Sequence, residues 1–411
     1  MPSRRESKPG PLTTPDAAWR RILDAVKPGR AARVPLDRCG NRYLARPVRA
    51  DRDVPAADRA AMDGYAVHAA DTPGTLRVVG EIAAGSAARP ALRAGECARI
   101  FTGANVPPDA DAVIAFEDTE PAPPDAVIAR IAVPRGRHIV RRGEFARRGD
   151  TLLDAGVCLD PAAIGVCAAV GCTAPWVCPA PAIAVVSTGS ELRAADGPVG
   201  PQQIRDSNGP TICAALAAQG FGRAAHFRVR DDRDALRRRL AAAVRRYEVT
   251  IVSGGVSVGD YDWVPDVLRA LGARIRYHGI AMKPGKPQLF ATLGKDRYLF
   301  GLPGNPLSAL VGLHEFVLPA LRRLTGCPEA VCRPALRLPL AAPVQGRGPR
   351  RLYVPARRAP SPRGTAIAPL PTAVSADFVS AARADGVIVM PDGVTALPAG
   401  ALVEFRPWRL S

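Results

Sequence analysis

From residue 181 onward the apolar positions fall into two alternating arrangements. Runs of consecutive apolar residues, as in AIAVVSTG (182–189), give way to stretches where apolar residues recur at three- and four-residue spacing, as in SNGPTICAALAAQG (207–220). The first kind reads as a buried strand and the second as a helix. This pattern predicts strands at 182–189, 224–232, 249–252, 274–282 and 297–302. It predicts helices over 207–220, 234–247, 264–271 and 306–325, the last ended by Gly326. Strands and helices alternating through short turns imply an open parallel sheet covered on both faces, a three-layer α/β/α domain.

The flanks have other rhythms. DAAWRRILDAV (16–26) spaces apolar residues at 18, 19, 22, 23 and 26 as a helix does. Residues 50–143 carry short alternating runs (LRVVGEI, ECARIF, DAVIAF, AVIARIAV) separated by Gly, Pro and Asp, which reads as a β-rich insert. Helix signals return between 144 and 178, where Asp160 precedes Pro161 and Gly171 follows the run. Residues 334–411 revert to short strands with PRG and PDG turns, a small β-barrel or sandwich. The expected division is a tail at 1–14, a helical N-terminal domain from 15–50 with 144–180, a β-rich insert at 51–143, the α/β domain at 181–327 and a C-terminal β-barrel domain at 334–411.

Composition narrows the function classes. With 47% hydrophobic and 23% charged residues the chain is globular. The longest apolar stretch, 162–172, is about half of a bilayer span. The twin arginine near the start has no apolar run after it, so the expectation is a cytoplasmic chain without a signal peptide or membrane contact. Nine cysteines without a C-x-x-C pair argue for free thiols over a zinc site. The net charge of +18 comes from arginines spread along the whole chain, and no aromatic platform accompanies them, so no nucleic-acid partner is expected. The lysines say more: two of only five fall in KPGKP, as Lys283 and Lys286, where compact ammonium groups replace the planar fork used elsewhere.

Several loops after strands end in related chemistry. STGSEL presents Ser187, Thr188, Gly189 and Glu191; RVRDDRD presents Asp231 and Asp232. SGGVSVGDYDWVPD offers Gly254, Gly255 and Ser257, then Asp260, Asp262 and Asp266. LPGNP places Gly304 and Asn305 before a helix N-terminus, a natural anion position. Backbone donors, ammonium groups and carboxylates together suit a phosphorylated substrate bridged by Mg2+. Taken singly, each loop is equally well read as a strand-to-helix turn or a helix cap.

Taken in order, RAAMDGYAV, IFTGANVP, STGSEL, RDDRDAL, SGGVSVGDYD, MKPGKP and GLPGNPLSA resemble the molybdenum insertase family, the bacterial MoeA proteins and the E domain of gephyrin, over about residues 15–410. The resemblance implies a central MogA-like molybdopterin-binding domain and an elongated homodimer whose site joins the sheet domain of one subunit to the β-rich domain of the other. It implies insertion of molybdate into adenylylated molybdopterin with release of AMP, dependent on Mg2+. By the same resemblance Glu191, Asp231 and Asp262 hold the metal and substrate, and Lys283 and Lys286 line the molybdate and phosphate site. Asp63 and Thr102 belong to loops donated across the dimer. Pro303, Asn305 and Pro306 shape the pocket, and Ser375 in LPTAVSADF stands near the ligand. A MogA-like adenylyltransferase and molybdoenzyme acceptors are the implied protein partners.

Three positions depart from the family pattern. Ser190 replaces an aspartate, Phe145 stands where RRGED would carry an acid, and Gly279 occupies a position that some members give to lysine. These departures leave a diverged paralogue or a non-catalytic molybdopterin-binding scaffold as the alternatives to an active transferase.

Overall fold

The computed structural model describes residues 11–257, 262–346, 348–362, 364–372 and 374–408. The chain divides into two compact units, one of residues up to 45, 156–160 and 176 onward, the other of 46–155 and 161–175.

The smaller unit is built on a six-stranded sheet in the order Ala112–Ala115, Gly64–Val67, Glu96–Ile100, Gly74–Ile82, Ala126–Ala129, Thr119–Ala122. Alternation sends Ala66, Ala98, Ile100 and Val113 into one cluster and Val67, Cys97, Ala112 and Ile114 into another. Both faces are therefore apolar and covered. At Gly64 only hydrogen fits, because a Cβ there would stand 1.9 Å from the Ile114 carbonyl oxygen.

The larger unit opens with the helix Pro15–Ala25, capped where the Thr14 hydroxyl oxygen accepts from the Ala17 N–H at 3.2 Å. Its main sheet runs in the order Ala225–Val229, Ile183–Thr188, Val249–Ser253, Arg297–Leu302, Leu289–Leu293, Arg274–His278. Val185, Ile251 and Phe300 face the helices Asn208–Ala218 and Pro306–Gly312, while Val186, Val252 and Leu299 face Arg233–Arg246 and Val264–Ala270. This period-two division makes the expected three layers.

Three predicted features change. The sheet is mixed rather than parallel, because Leu289–Leu293 pairs antiparallel with both of its neighbours. That strand went unread: the TLGKDR turn (292–297), with Gly294, Lys295 and Asp296 at its tip, makes a tight hairpin, with Gly294 at φ 61°. The strand expected over 274–282 stops at His278, since Gly279 takes φ 90° and redirects the chain. The predicted 306–325 helix is present but interrupted by a π-helical turn at Leu313–Val317.

Among the C-terminal strands Leu336–Pro339, Arg351–Ser361, Gly364–Pro369, Gly386–Val389 and Leu402–Pro407, Arg351–Ser361 pairs with both Gly364–Pro369 and Gly386–Val389, and Leu402–Pro407 pairs with both Gly386–Val389 and Leu336–Pro339, all antiparallel. The Leu340↔Ile367 bridge joins the first strand to Gly364–Pro369 and closes the barrel. Its interior holds Ala356, Ile367, Ile388 and Phe405. Among the described residues no helix is long and apolar enough to cross a membrane.

Candidate active site

Strand register brings the chemistry to one edge of the main sheet. Ser187 aligns with Arg228 and Ser253, and Ser253 aligns with Leu302. The antiparallel pairs set Leu289 opposite Gly301 and His278. The loops after Thr188, Val229, Ser253 and Leu302 therefore open where KPGKP enters Leu289, at the carboxyl ends of the parallel strands.

Close backbone approach explains the glycines. Gly254 has φ 95°, and a Cβ on it would lie 2.3 Å from the Thr188 carbonyl oxygen. Its N–H donates to the Leu302 carbonyl at 3.1 Å, and Gly189 N–H donates to the Val229 carbonyl at 3.2 Å. Gly255 also adopts a positive φ, 62°. His278 Nε2 meets the Val256 carbonyl at 2.7 Å, tying the start of the lysine loop to the SGGV turn.

Asn208 holds two of these loops together. Its side-chain amide donates to Ser253 Oγ at 2.8 Å and to the Gly304 carbonyl at 2.7 Å, while Ser253 Oγ donates to the Pro303 carbonyl at 3.3 Å. Asn208 is not among the residues that the sequence reading singled out. Ser207 makes no capping bond; Asp206 Oδ1 accepts from the Gly209 N–H at 2.9 Å instead. Asp206 Oδ2 also pairs with His226 Nε2 at 3.0 Å, and Ser187 Oγ lies 3.1 Å from the same nitrogen. Burial raises the Asp206 carboxyl, but the bonds from His226, Gly209 and Ser187 outweigh it and hold the group below the usual carboxylate range. The signal for both residues was the DSN triplet opening an apolar helix.

The acids divide their work. Asp232 caps the helix Arg233–Arg246, accepting from the Ala235 N–H at 2.7 Å. Asp231 Oδ1 is buried without a hydrogen-bond partner. Burial pushes the Asp231 carboxyl up, and Asp262 and Glu191 push it further by charge repulsion. Glu191 folds back over Gly189, its carboxylate oxygens 2.7 Å from where a Cβ would stand. Ser190 Oγ accepts from the Asp231 N–H at 3.2 Å, so this departure from the family pattern orients the acid loop. Asp266 pairs with Arg269 at 2.9 Å, and Asp260 lies outside the described residues. Among the described residues no three His, Cys, Asp or Glu side chains are close enough to hold a metal ion unaided.

Lys283 and Lys286 are both exposed, and neither has a carboxylate partner among the described residues. Lys283 lies in the short strand Met282–Lys283, which pairs parallel with Arg351 and Leu352 of the barrel. Asn305 leaves its own helix uncapped and donates to Ser375 Oγ at 2.8 Å. Pro303 is buried, Pro306 begins the helix, and Gly304 and Ser257 are exposed. Thr188 is buried, with its hydroxyl unpartnered.

In the smaller unit Asp63 Oδ1 accepts both the N–H and the hydroxyl of Thr102, each at 2.7 Å. These bonds hold the Asp63 carboxyl below its ordinary range and lock the two loops to each other. Phe145, also in this unit, is 70% exposed, an apolar ring in water where an acid was expected.

A three-layer domain with glycine-rich turns, paired lysines and acids at one sheet edge, continued by a β-barrel, defines a protein of several domains with a site suited to a phosphorylated ligand. Residues 13–171 match the MoeA N-terminal region (domain I and II), 184–323 a probable molybdopterin binding domain, and 337–408 the MoeA C-terminal region (domain IV). A molybdopterin molybdenumtransferase of Staphylococcus aureus strain Mu50 is 30% identical over 394 residues, covering 94% of this chain and 93% of its own length. The one from Bacillus subtilis is 30% identical over 401 residues, with 95% and 92% covered, and that of Nostoc is 38% identical over 303 residues, with 71% and 69% covered. The crystal structure of a molybdopterin biosynthesis moeA protein from Pyrococcus horikoshii superposes with a TM-score of 0.77 at 30% identity, covering 97% of this chain and all of that one. The chain belongs to the molybdopterin molybdenumtransferase family. It is a transferase of molybdenum cofactor biosynthesis.

Proposed function

We propose that the chain inserts molybdate into the dithiolene of adenylylated molybdopterin, with Mg2+ at the sheet edge and AMP as the second product. The pyrophosphate link takes up one water and separates into AMP and the phosphate of the metallated pterin. The observation that carries this reading is the acid cluster: Asp231, with a buried unpartnered oxygen, stands in the repulsive field of Asp262 and Glu191. Such a group fits a hard cation. The carboxylates alone do not complete a shell, which suits an ion that takes one or two of them and draws its other oxygens from phosphates and water. Bound there, Mg2+ would offset charge developing on the pyrophosphate oxygens.

The remaining roles follow from placement. Gly254 and Gly255 let the phosphorylated pterin approach the backbone, as no side chain fits between that turn and Thr188. Lys283 and Lys286 attract the molybdate dianion with charges that no acid of the described protein neutralises. The Asn305–Ser375 bond fixes the pocket wall between sheet and barrel. The adenylate tether keeps the dithiolene beside the oxyanion, so insertion gains from proximity. The working form is a homodimer in which the Asp63–Thr102 loops complete the site of the other subunit.

Asp262→Asn and Lys286→Ala test this reading. Each is expected to lower molybdate insertion by about one to two orders of magnitude, the size of one preorganised electrostatic contact. Wild-type rates in both variants would overturn the assignment.

A further inference from the structure

The helices Asn208–Ala218 and Pro306–Gly312 both begin at the candidate site, and their far turns border something else: a cavity of about 500 Å3. Asn208 and Ala214 are six residues apart, about 9 Å along a helix, so the cavity is a separate place from the acid and lysine loops. It lies within the larger unit and nothing in the transferase reading uses it.

Its lining is specific. Six alanines line it, Ala214, Ala215 and Ala218 from the helix Asn208–Ala218 and Ala381, Ala382 and Ala384 from the segment around the helix Phe378–Arg383, together with Asn41, Tyr43, Cys158 and Gln219. Phe221 and Leu310 add apolar lining, and His314 and Trp408 stand as tilted rings with centroids 5.6 Å apart. Burial, helped by Arg322, holds His314 down to about 3, so its ring is neutral at physiological pH. A cavity of this size, mostly apolar with a few polar groups, has the character of a small-molecule site.

Two polar groups say what the molecule carries. Trp408 is only 8% exposed, and its Nε1–H is buried without an acceptor. Arg322 is likewise 8% exposed, and its guanidinium donates to Gln219 Oε1 at 2.7 Å and to the Cys332 carbonyl at 3.0 Å. Neither acceptor carries a charge, and no carboxylate lies within ion-pair distance of Arg322 among the described residues. No Asp or Glu lines the cavity. A buried cation that faces no carboxylate among the described residues, only the thiols of Cys327 and Cys332 and the Tyr43 hydroxyl, leaves room beside it for an anion, and an indole N–H without an acceptor asks for the same partner.

We propose that this cavity binds a small planar aromatic carboxylate, its ring among the alanines and its carboxylate accepting from Trp408 Nε1 in the field of Arg322. The test is isothermal titration calorimetry of the full chain with 2-naphthoate and with its neutral counterpart 2-naphthamide. One naphthoate per chain is expected to bind with Kd of about 10–100 μM, and naphthamide at least about tenfold more weakly. Trp408→Phe keeps the ring and removes the donor, so it should weaken naphthoate by about tenfold, the usual size for one hydrogen bond to a charged group. Ala218→Phe and Ala382→Phe change exposed positions and fill the cavity; both should abolish binding while melting temperature and molybdate insertion stay as in the wild type. Absence of saturable binding up to about 5 mM, equal affinity for the amide, or undiminished affinity in both filled variants would overturn the proposal.

Discussion

Replacing Asp231 with asparagine should make the protein more stable and nearly inactive. The carboxyl is pushed up by burial and by repulsion from Asp262 and Glu191, so the folded state binds its proton more tightly than the unfolded chain does. The resulting penalty is fully present above the raised folded value and disappears as pH falls toward the unfolded value, about 3.9. Like charges in a half-solvated cluster cost about 0.2–1 kcal/mol, and a buried unsatisfied oxygen adds on the order of 1 kcal/mol. Asparagine removes the repulsion but keeps a polar atom at the buried position, so Asp231→Asn should raise the melting temperature of the larger unit by up to about 2–4 °C at pH 7.5 in EDTA. The gap should close as the pH is lowered toward 4. Adding Mg2+ at about 100 times its Kd would stabilise the wild type by about 2.7 kcal/mol and the variant by much less, reversing the order. Insertion should fall by about two to three orders of magnitude. Differential scanning calorimetry with and without Mg2+ reads all of these stabilities. A variant less stable than the wild type in EDTA, or shifted equally by Mg2+, would refute the reasoning.

Other substitutions probe the frame around that cluster. Gly254→Ala puts a methyl group 2.3 Å from the Thr188 carbonyl in a φ 95° conformation; a loss of about 2–4 kcal/mol in urea unfolding is expected, and an unchanged midpoint would contradict the close approach. Asn208→Ala removes the amide that joins Ser253 to Gly304 and should cost about 1–3 kcal/mol by the same measurement. The Asp63 carboxyl is depressed by the two Thr102 donors, so the contact is complete above the ordinary carboxylate value and is lost only as pH falls through the lower folded one. The Thr102 amide resonance followed by NMR should therefore titrate below about pH 3.9; titration at or above the ordinary value would show that the bonds do not hold the charge.

Much of this architecture was legible because period and punctuation agreed. Val185 and Val186, or Ile251 and Val252, sit in unbroken apolar runs that only a strand buried on both faces explains, and those strands are where the sequence placed them. The hairpin strand Leu289–Leu293 was missed because it follows the KPGKP loop, whose prolines dominated the local reading. The capping acceptor of the helix Asn208–Ala218 could not be chosen from sequence, since Asp206 and Ser207 offer the same kind of acceptor and only the bond to Gly209 separates them. The site acids could be named from their loops, but not their division of labour. Asp232 as a cap and Asp231 as an unpartnered group depend on backbone direction at the strand end, which spacing does not encode. The DSN triplet marked Asn208 only as a helix start, and the Trp408 cavity gave no motif at all, because the contacts of both arise from elements distant in sequence.

Turnover tests the site most directly. Purified protein mixed with adenylylated molybdopterin, Mg2+ and molybdate should release AMP and yield metallated cofactor in equal amounts, and omission of molybdate should suppress both. Tight binding of the adenylylated pterin with no molybdate-dependent AMP release would contradict the transferase mechanism proposed for this site, and Ser190 and Phe145 would be the first positions to restore to acids.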